Sequence, residues 1–429
     1  DELFPICRSI TGPGLRDSLA IFRRFLPLEI ETVASGTQVF DWQVPPDWRL
    51  RAARLIGPDG ATVVDFADSN WHVVNYSAPV SGRFTLEELQ PHLHSLPGQP
   101  DLVPYVTAYY ERRWGFCLPH RQRAALAPGT YTAEIDSEFV EGGVPFGWCD
   151  LAGDNERLFQ LSSYLCHPSL ANNELSGPLV LLGLYDRIAG WKRRRHTYRF
   201  LLNPETIGSL CYLHRHHRDL TERLAGGLVL TCLGGPETAL SVKLARRDGS
   251  RVNRLAAHLA ARAPAEWRVR PFDPTGGSDE RQFCAPGFDL PIGQAARTIY
   301  GAYPQYHTSG DDKEFMDVAR IVESVDRLEA FLRAFDEAGI WVNQAPYGEP
   351  QLGRRGLYPS VNSPELWGYS DDQTMDHRQV LNRVLTVLSD ADGTRDLVAI
   401  AERAGEAVEA LLPIVRRLES AGLLKLREG

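Results

Sequence analysis

Apolar and polar residues alternate with two different periods between residues 156 and 335. Apolar runs of strand length are each followed by a longer stretch in which apolar residues recur every three or four positions. The first pattern predicts buried β-strands, and the second predicts amphipathic helices. Their alternation predicts a largely parallel sheet with helices on both faces. The predicted strands are 158–165, 197–203, 227–233 and 289–293, and the predicted helices are 175–189, 207–216, 251–262 and 314–335.

The pattern is different in the first third of the chain. Residues 13–26 have the apolar spacing of an amphipathic helix. From residue 40 to about 150, short β-rich runs alternate with turn residues, which predicts a mainly β module inserted into the α/β domain. The strands predicted in this module are a hairpin at 55–66, with a Pro-Asp-Gly turn, and single strands at 72–76 and 129–135.

The last part of the chain begins with a segment rich in Pro and Gly after residue 345, which is typical of a linker. Three amphipathic segments, a Gly and a short apolar run follow, and this is the order of elements in a winged-helix domain. We therefore predict three domains. They are an α/β domain of residues 1–39 and 151–345, an inserted β-rich module of residues 40–150, and a linker with a winged-helix domain of residues 346–429.

The composition is that of a globular protein without a basic surface. Of 429 residues, 43% are hydrophobic and 24% are charged, and the net charge is −9. Nucleic acids and anionic membranes both attract basic surfaces, so we expect neither as a partner. The longest apolar stretches are far shorter than the roughly 20 residues of a membrane helix. The acidic, mixed N-terminus does not have the pattern of a signal peptide.

The seven cysteines also bear on the compartment. Their number is odd, no CxxC pair occurs, and several lie within apolar runs. Buried free thiols of this kind are typical of a reducing compartment. The sequence therefore predicts a cytoplasmic protein.

Residues with chemical function cluster around the ends of the predicted strands. Ligands of an open α/β sheet bind beyond the carboxyl ends of its strands, so these side chains are expected at one rim. Two histidines with nearby carboxylates are the residue types of a catalytic zinc site that keeps one position open for water. The residues in question are His167, Glu174, Glu205, Asp279, Glu280 and His307.

Longer strings carry a resemblance to a known family. A histidine after a strand, NxxSG at a helix start, PExxGS, SDxxxF and YHTSxD occur in this order, which resembles the zinc aminopeptidase superfamily with co-catalytic metals. The strings FDWxVP, HVVxYS, YYERRWGFC, CHPSLANNELSG and GSDERQ resemble aminopeptidase-like proteins of bacterial polysaccharide and natural-product gene clusters. The resemblance covers nearly the whole chain. It implies a zinc-aminopeptidase-like α/β fold, a mostly parallel sheet flanked by helices, with an inserted mainly β module and a C-terminal winged helix.

The resemblance also implies roles for individual residues. His167 and His307 match the metal-ligand histidines. Glu205 matches the general base that deprotonates the metal-bound water. The predicted reaction is therefore metal-assisted hydrolysis of an amide, with a substrate amine placed against Asp279 or Glu280.

Three positions depart from the family pattern. The bridging aspartate of the dinuclear enzymes falls at Asn173, the second carboxylate of their Glu-Glu pair at Thr206, and the carboxylate after the next strand at Thr231. Because two zinc ions need negative charge around them, we predict one zinc ion per chain. His167 and His307 are two of its ligands, and the third remains open among Asn173, Glu174, Asp279 and Glu280.

Structural roles for the same residues remain open as well. Residues at strand ends and helix starts often serve as caps or turn residues. The aromatic string that contains Tyr109 and Tyr110 either packs within the module or lines the substrate cleft. The histidines at 214, 216 and 217 are predicted to lie on a solvated helix face.

The predicted function is an aminopeptidase-like metal-dependent hydrolase. It cleaves an amide bond in a small aminoacyl or peptide-like biosynthetic intermediate. One alternative is deacylation or cyclisation at the same site, and another is a non-catalytic binding protein that has lost the metal centre. The winged helix is predicted to contact a protein partner or a second copy of the chain.

Negative charge leads to a testable expectation for the winged helix. Without a basic surface, no counterion release drives binding to duplex DNA. Fluorescence anisotropy at low salt should therefore show no salt-sensitive affinity of the full chain for duplex DNA. Sub-micromolar binding that weakens with salt would instead indicate a regulatory, DNA-binding protein.

Overall fold

The structure, a computed structural model, describes residues 1–358 and 377–427, which form two compact units. Unit 1 comprises Asp1–Arg247 and Arg270–Asp326, and unit 2 comprises Asp248–Val269 and Arg327–Gly429. The strands are β1 (Glu29–Ala34), β2 (Gln38–Val39), β3 (Trp42–Gln43), β4 (Asp47–Ile56), β5 (Thr62–Asp65), β6 (Val80–Thr85), β7 (Leu93–His94), β8 (Phe116–Cys117), β9 (Thr130–Val140), β10 (Gly143–Leu151), β11 (Leu158–Tyr164), β12 (Thr197–Asn203), β13 (Leu224–Leu230), β14 (Leu240–Lys243), β15 (Trp267–Arg270), β16 (Ile292–Ala296), β17 (Ile340–Asn343), β18 (Asp392–Asp396) and β19 (Leu424–Arg427).

The α-helices differ widely in length, from single turns to twenty residues. They are α1 (Pro13–Phe22), α2 (Leu86–Leu89), α3 (His120–Ala124), α4 (Ser176–Ala189), α5 (Ile207–Arg223), α6 (Arg251–Arg262), α7 (Glu280–Phe283), α8 (Val318–Glu337), α9 (His377–Asp390), α10 (Leu397–Ala404) and α11 (Val408–Ser420). A single π-helical turn, Ala171–Leu175, directly precedes α4.

A large sheet organises unit 1. Within the unit its strand order is β1-β10-β12-β11-β13-β16-β14. The four central strands, β12, β11, β13 and β16, are parallel to one another, and the strands outside them pair antiparallel. All residues of β11, β12 and β16 are buried, as expected for strands covered on both faces. The α/β architecture predicted from the sequence is therefore confirmed.

The inserted β-rich stretch forms a sheet of its own. Its order is β5-β4-β9-β6, and every pairing is antiparallel. The buried side chains of Leu55, Phe116, Tyr131 and Ile135 belong to its core. The hairpin predicted at 55–66 is present as the end of β4 and the whole of β5.

Unit 2 contains the winged helix. Helices α9, α10 and α11 accompany a three-stranded antiparallel sheet with the order β18-β17-β19. The central strand, Ile340–Asn343, lies before the domain boundary predicted at residue 346, and its Trp341 is fully buried. The predicted order of three helices, a Gly and a strand is confirmed. Pro359 of the predicted linker lies outside the described residues.

Some sequence predictions were wrong in detail. Residues 72–76 do not form a strand of a sheet. Ser69 caps a 3₁₀ turn at Asn70–His72, and Tyr76 has a φ of 69°, so the extended stretch between them is too short to pair regularly. The strand predicted at 289–293 begins at Ile292 instead, because Asp289 has a φ of 45°. In the described part of the chain, no helix is long and apolar enough to cross a membrane.

Close packing requires the glycine of the NELSG sequence, Gly177. It lies in the first turn of α4, directly over the sheet. A Cβ atom there would overlap the carbonyl oxygen of Leu230 and the hydroxyl of Ser163. Only a glycine therefore allows α4 to approach β11 and β13 so closely.

Substitution of Gly177 should consequently destabilise the protein. We expect Gly177→Ala to lower the free energy of unfolding by about 1–3 kcal/mol, the usual cost of overpacking. Gly190→Ala is the matched control, because Gly190 ends the same helix at a φ of −76° and a Cβ there meets no atom closer than 3.4 Å. Urea unfolding of both variants tests this. Equal stabilities would show that α4 has room to shift.

Candidate functional site

The candidate site lies at the carboxyl ends of the parallel strands. β11 ends at Tyr164, and His167 follows; β12 ends at Asn203, and Glu205 follows. His307 lies in the loop between β16 and α8. Crevices beyond the carboxyl ends of strands are where open α/β sheets bind ligands. The structure thus brings the two predicted histidines and the predicted base to one edge of the sheet.

His167 is held by a buried carboxylate. Its Nδ1 lies 2.6 Å from Oε2 of Glu174, and since a carboxylate only accepts, Nδ1 carries the donated proton. The backbone N–H of Cys166 donates to the other oxygen of Glu174. Nε2 of His167 therefore faces the site, 3.7 Å from Oε2 of Glu205. A carboxylate behind a histidine is the usual way to orient a metal-binding imidazole.

Arg8 compensates the charge of Glu174. Its Nε lies 3.8 Å from Oε1 of Glu174, and both side chains are 0% exposed. The same Nε donates to the carbonyl oxygen of His167 at 2.9 Å. Sequence reasoning did not find Arg8, because it lies 159 residues from the histidine whose carbonyl it binds and belongs to no motif.

The two histidines carry different charges. Burial disfavours a charge on His167, but Cys166, Tyr105 and Glu174 outweigh it and raise the pKa of this imidazole well above its usual value. Burial, together with the positive charge of His167, lowers the pKa of His307 to about 3. At neutral pH His307 is therefore an uncharged imidazole, whereas a metal ion that bound His167 would have to displace a proton.

Asn173 has a buried oxygen without a partner. Its Nδ2 donates to the hydroxyl of Tyr164 at 2.8 Å, and that hydroxyl lies 2.5 Å from Oγ1 of Thr231. Within the described part of the chain, Oδ1 of Asn173 accepts no hydrogen bond. An unpaired buried acceptor is costly and needs an explanation, such as an ion or a water. This oxygen is thus a candidate ligand.

Asp311 fixes the turn that carries Asn173 and Glu174. Its carboxylate accepts from the backbone N–H of Asn172 at 2.6 Å and of Asn173 at 2.9 Å, where the π-helical turn begins. The hydroxyl of Tyr303 donates to it as well. Burial raises the pKa of Asp311 to about 6. The sequence contained a signal for this role, because Asp311 closes the YHTSxD string, but no role was assigned to it.

Glu205 is the most open carboxylate of the site, with 28% of its side chain exposed. Ser278 donates its hydroxyl proton to Oε1 at 2.7 Å, so Oε2 is the oxygen that faces His167. Burial raises the pKa of Glu205, although His167 and Ser278 offset part of the effect. The next residue, Thr206, has a φ of 64°, an unusual conformation for a β-branched residue.

Asp279 stabilises this strained turn. Its carboxylate accepts from the backbone N–H of Thr206 at 2.7 Å, from Nδ2 of Asn203 at 2.8 Å and from the hydroxyl of Ser209 at 3.0 Å. Burial and the nearby charge of Glu205 raise the pKa of Asp279 to about 7. The structure therefore places Asp279 behind Glu205, as part of its support.

Glu280 is likewise engaged inside the protein. It forms a buried ion pair of 2.9 Å with Lys243, and Gln294 donates to its other oxygen at 2.9 Å. The backbone N–H of Ser278 donates to the same carboxylate. These contacts fix the loop from which Ser278 reaches Glu205.

The loop of His307 is attached to the inserted module. The backbone N–H of Tyr105 donates to the carbonyl oxygen of His307 at 2.8 Å, and that of Ser309 donates to Val103 at 2.9 Å. His307 has a φ of 53° and stacks on Tyr306 with ring centroids 3.9 Å apart. The ring of Tyr105 lies 5.0 Å from that of His167 and 5.3 Å from that of His307. Tyr105 thus covers both histidines, a contact that the sequence pattern did not reveal.

Two candidate metal-ligand sets can be compared. The first set is a group of three side chains whose ligand atoms lie within 4.8 Å of one another. Among the described residues, this group consists of Cys166, His167 and Glu174. These atoms already bind each other, and the cation of Arg8 lies beside them, so this set does not fit a metal ion.

The second set consists of Nε2 of His167, His307 and Oδ1 of Asn173. The ring centroids of the two histidines are 5.4 Å apart. Two imidazoles that share one tetrahedral zinc ion, at Zn–N distances of about 2.0 Å, have centroids about 5 Å apart. The distance between the two rings is therefore compatible with one shared ion, and the unpaired amide oxygen of Asn173 is the third candidate ligand.

Comparisons with known proteins agree with this fold. A relative from Clostridium acetobutylicum is 36% identical over 426 residues, covering 99% of this chain and 95% of the relative. It is provisionally described as a polysaccharide biosynthesis protein with an aminopeptidase-like domain. A crystal structure from the same organism, provisionally described as a peptidase, has a TM-score of 0.88 at 34% identity and covers 99% of this chain and 94% of its own.

More distant structures share the fold alone. A zinc aminopeptidase from Bacillus subtilis has a TM-score of 0.55 at 13% identity and covers 76% of this chain and 90% of its own. A peptidase M28 precursor from Shewanella amazonensis has a TM-score of 0.56 at 13% identity, with 78% and 90% covered. These likenesses confirm the predicted aminopeptidase-like fold.

Family models divide the chain into two parts. A model described as a domain of unknown function, DUF4910, matches residues 1–338, and a model described as a winged helix-turn-helix matches residues 339–426. The chain therefore belongs to the DUF4910 family, here with an aminopeptidase-like fold followed by a winged helix-turn-helix domain.

Proposed function

We propose that this protein is a zinc-dependent hydrolase that cleaves an amide bond. The observation that carries the proposal is the position of Glu205, whose Oε2 lies 3.7 Å from Nε2 of His167. These two atoms face each other at the rim of the sheet, and the other polar atom of each group is fixed by a hydrogen bond. The names given to the clostridial relative and to the clostridial crystal structure support a peptidase-type reaction.

The proposed mechanism assigns one task to each residue. His167, His307 and Asn173 would hold one zinc ion, which would supply a Lewis acid that acidifies a water and polarises the substrate carbonyl. Glu205 accepts the proton of that water and returns it to the leaving amine. Ser278 holds Oε1, which leaves Oε2 for the proton.

The raised pKa of Glu205 suits this task, because a base whose conjugate acid is not too strong can both accept and return a proton. The rings of Tyr105 and Tyr306 cover the histidines and limit access of bulk water.

The substrate and compartment belong to the same proposal. The description of the clostridial relative favours a small aminoacyl or peptide-like biosynthetic intermediate over a general protein substrate. All seven cysteines are free, and six of them are buried, which fits a reducing cytoplasm. The winged helix is proposed to contact a protein partner or a second copy of the chain.

The metal is the first point to test. Purified protein should bind about one equivalent of Zn²⁺ in native mass spectrometry, and His167→Ala should abolish binding. Glu174→Gln should weaken it about 10–100-fold, the usual effect of losing the carboxylate behind a histidine ligand. His214→Ala is the control and should bind zinc like the wild type, because the half-buried His214 on α5 packs against Phe40. No metal in the wild-type protein, even after zinc addition, would favour a non-catalytic binding protein.

The second test concerns the base. Glu205→Gln should keep the fold and the zinc but lower kcat about 100-fold or more, because it removes the proton acceptor. Glu222→Gln, an exposed glutamate on α5, should have no effect. Thermal melting and metal content control for misfolding. A Glu205→Gln variant with turnover near that of the wild type would exclude Glu205 as the base.

A further inference from the structure

We infer that the amide cleaved at this site has no free ammonium group beside it: the substrate is N-acylated, uncharged around the scissile bond, and packs against aromatic rings. This inference rests on the proposed hydrolysis and specifies its substrate class. It follows from the partners that the carboxylates around His167 and Glu205 already have within the protein.

Glu174 cannot serve as an anchor for a substrate cation. It is 0% exposed, it accepts from Nδ1 of His167, and Arg8 lies 3.8 Å away as its counter-ion. A second cation at this carboxylate would lie next to Arg8 and be repelled by it. Glu174 is therefore used entirely in the orientation of His167.

Asp279 and Asp311 are buried, and each carboxylate already accepts three hydrogen bonds from the protein. Asp279 accepts one hydrogen bond each from Asn203, Thr206 and Ser209. Asp311 accepts two backbone N–H groups at the start of the π-helical turn and one hydroxyl. Both are 0% exposed. An ammonium group would have to break these bonds, and with them the turns that place Glu205 and Asn173.

Glu280 already has a cation of its own. The ammonium group of Lys243 lies 2.9 Å from it, with 1% of the lysine side chain exposed. Lys243 also donates to the carbonyl oxygen of Asp273 at 2.6 Å, so it is firmly held. A substrate amine would have to compete with a buried, preorganised lysine for the same carboxylate.

Glu205 is then the carboxylate that remains for the substrate, and the proposed mechanism uses it as the base. Neutral side chains occupy the other positions of the rim, Asn173, Thr206 and Thr231. Burial of an ammonium group without an anionic partner is strongly unfavourable. The site as built thus selects against a positive charge next to the scissile amide.

Aromatic rings supply the surface that an uncharged substrate needs. The hydroxyls of Tyr105 and Tyr109 lie 2.5 Å apart, the rings of Tyr109 and Tyr110 lie 6.3 Å apart, and those of Tyr110 and Trp42 lie 5.0 Å apart. We call these four residues the aromatic wall. Tyr105 contacts His167 at its inner end, whereas Tyr110 and Trp42 at its outer end are 52% and 36% exposed. The wall therefore leads from solvent to the histidines and offers ring faces to an acyl or aryl group.

A matched pair of substrates tests whether the site disfavours a positive charge next to the scissile amide. Zinc-loaded full-length protein is given phenylalanine p-nitroanilide and N-acetylphenylalanine p-nitroanilide, and release of p-nitroaniline is measured at pH 6 and pH 9. The free α-amino group has a pKa of about 8, so it is charged at pH 6 and largely neutral at pH 9. We expect kcat/KM to favour the acetylated compound at least about tenfold at pH 6, with a smaller preference at pH 9. Preference for the free amine at both pH values overturns the inference and leaves the proposed hydrolase intact.

Binding separates this inference from the proposed function. The same two compounds are titrated into zinc-loaded Glu205→Gln protein by calorimetry, which needs no turnover. Tighter binding of the acetylated compound supports the inference even if the wild type hydrolyses neither, a result that would count against the proposed function alone. Tighter binding of the free amine, or binding of neither compound, overturns the inference.

Variants test the aromatic wall. Tyr110→Ala should raise KM for the acetylated compound roughly tenfold with little change in kcat, the scale of one lost aromatic contact. Phe25→Ala is the control, because Phe25 is 58% exposed but contacts the groove between α4 and α8. An unchanged KM for Tyr110→Ala excludes the wall from substrate binding.

Discussion

Arg8 and Glu174 are both fully buried, and the geometry of the whole site depends on this pair. Burial of a carboxylate is costly unless a cation and hydrogen-bond donors compensate it. Arg8 lies beside Glu174 as that cation, and Glu174 fixes the ring of His167 through Nδ1. The direction of Nε2, and with it the distance to Glu205, follows from that one bond. Removal of either partner would leave the other charge buried and unpaired, which is far more costly than loss of the pair.

The same turn of chain depends on two further constraints. Asp311 binds the N–H groups where the π-helical turn begins, and Gly177 allows the following helix to rest on the sheet. Glu174 lies between these two fixed points. The loops after β12 and before α7 are tied together in a similar way, since Asp279 and Ser278 both support Glu205 or its neighbour. The site therefore consists of preorganised groups on short loops, and the loops are fixed by carboxylates that take no part in the chemistry.

The sequence predicted the fold well because the two apolar periods are local properties of the chain. The alternation of buried strands and amphipathic helices from 156 to 335 is confirmed, as is the order of elements in the winged helix. The strand predicted at residues 72–76 was wrong for a physical reason. The alternation of apolar and polar residues there is that of a strand, but a capped turn and a positive φ at Tyr76 interrupt the extended backbone.

The site was only partly accessible to sequence reasoning. The rim position of His167, Glu205 and His307 follows from strand order, whereas the ligand set of His167, Asn173 and His307 stays a prediction. Glu174 was a candidate metal ligand, and only the three-dimensional contacts show that it orients His167. Arg8 could not be found, because contacts over 159 residues leave no trace in local periodicity.

The attachment of the inserted module to the loop of His307 has a consequence for how this architecture can change. Val103 and Ser309 bind each other in both directions, by a backbone bond and through the serine hydroxyl, and Gln99 donates to the carbonyl oxygen of Pro304. A substitution in the insertion that disturbs these bonds therefore also affects the position of His307. The insertion and this loop must stay compatible in sequence. Exchange of the insertion between homologues, as in the construction of chimaeras, would have to carry both segments together to preserve the position of the histidine.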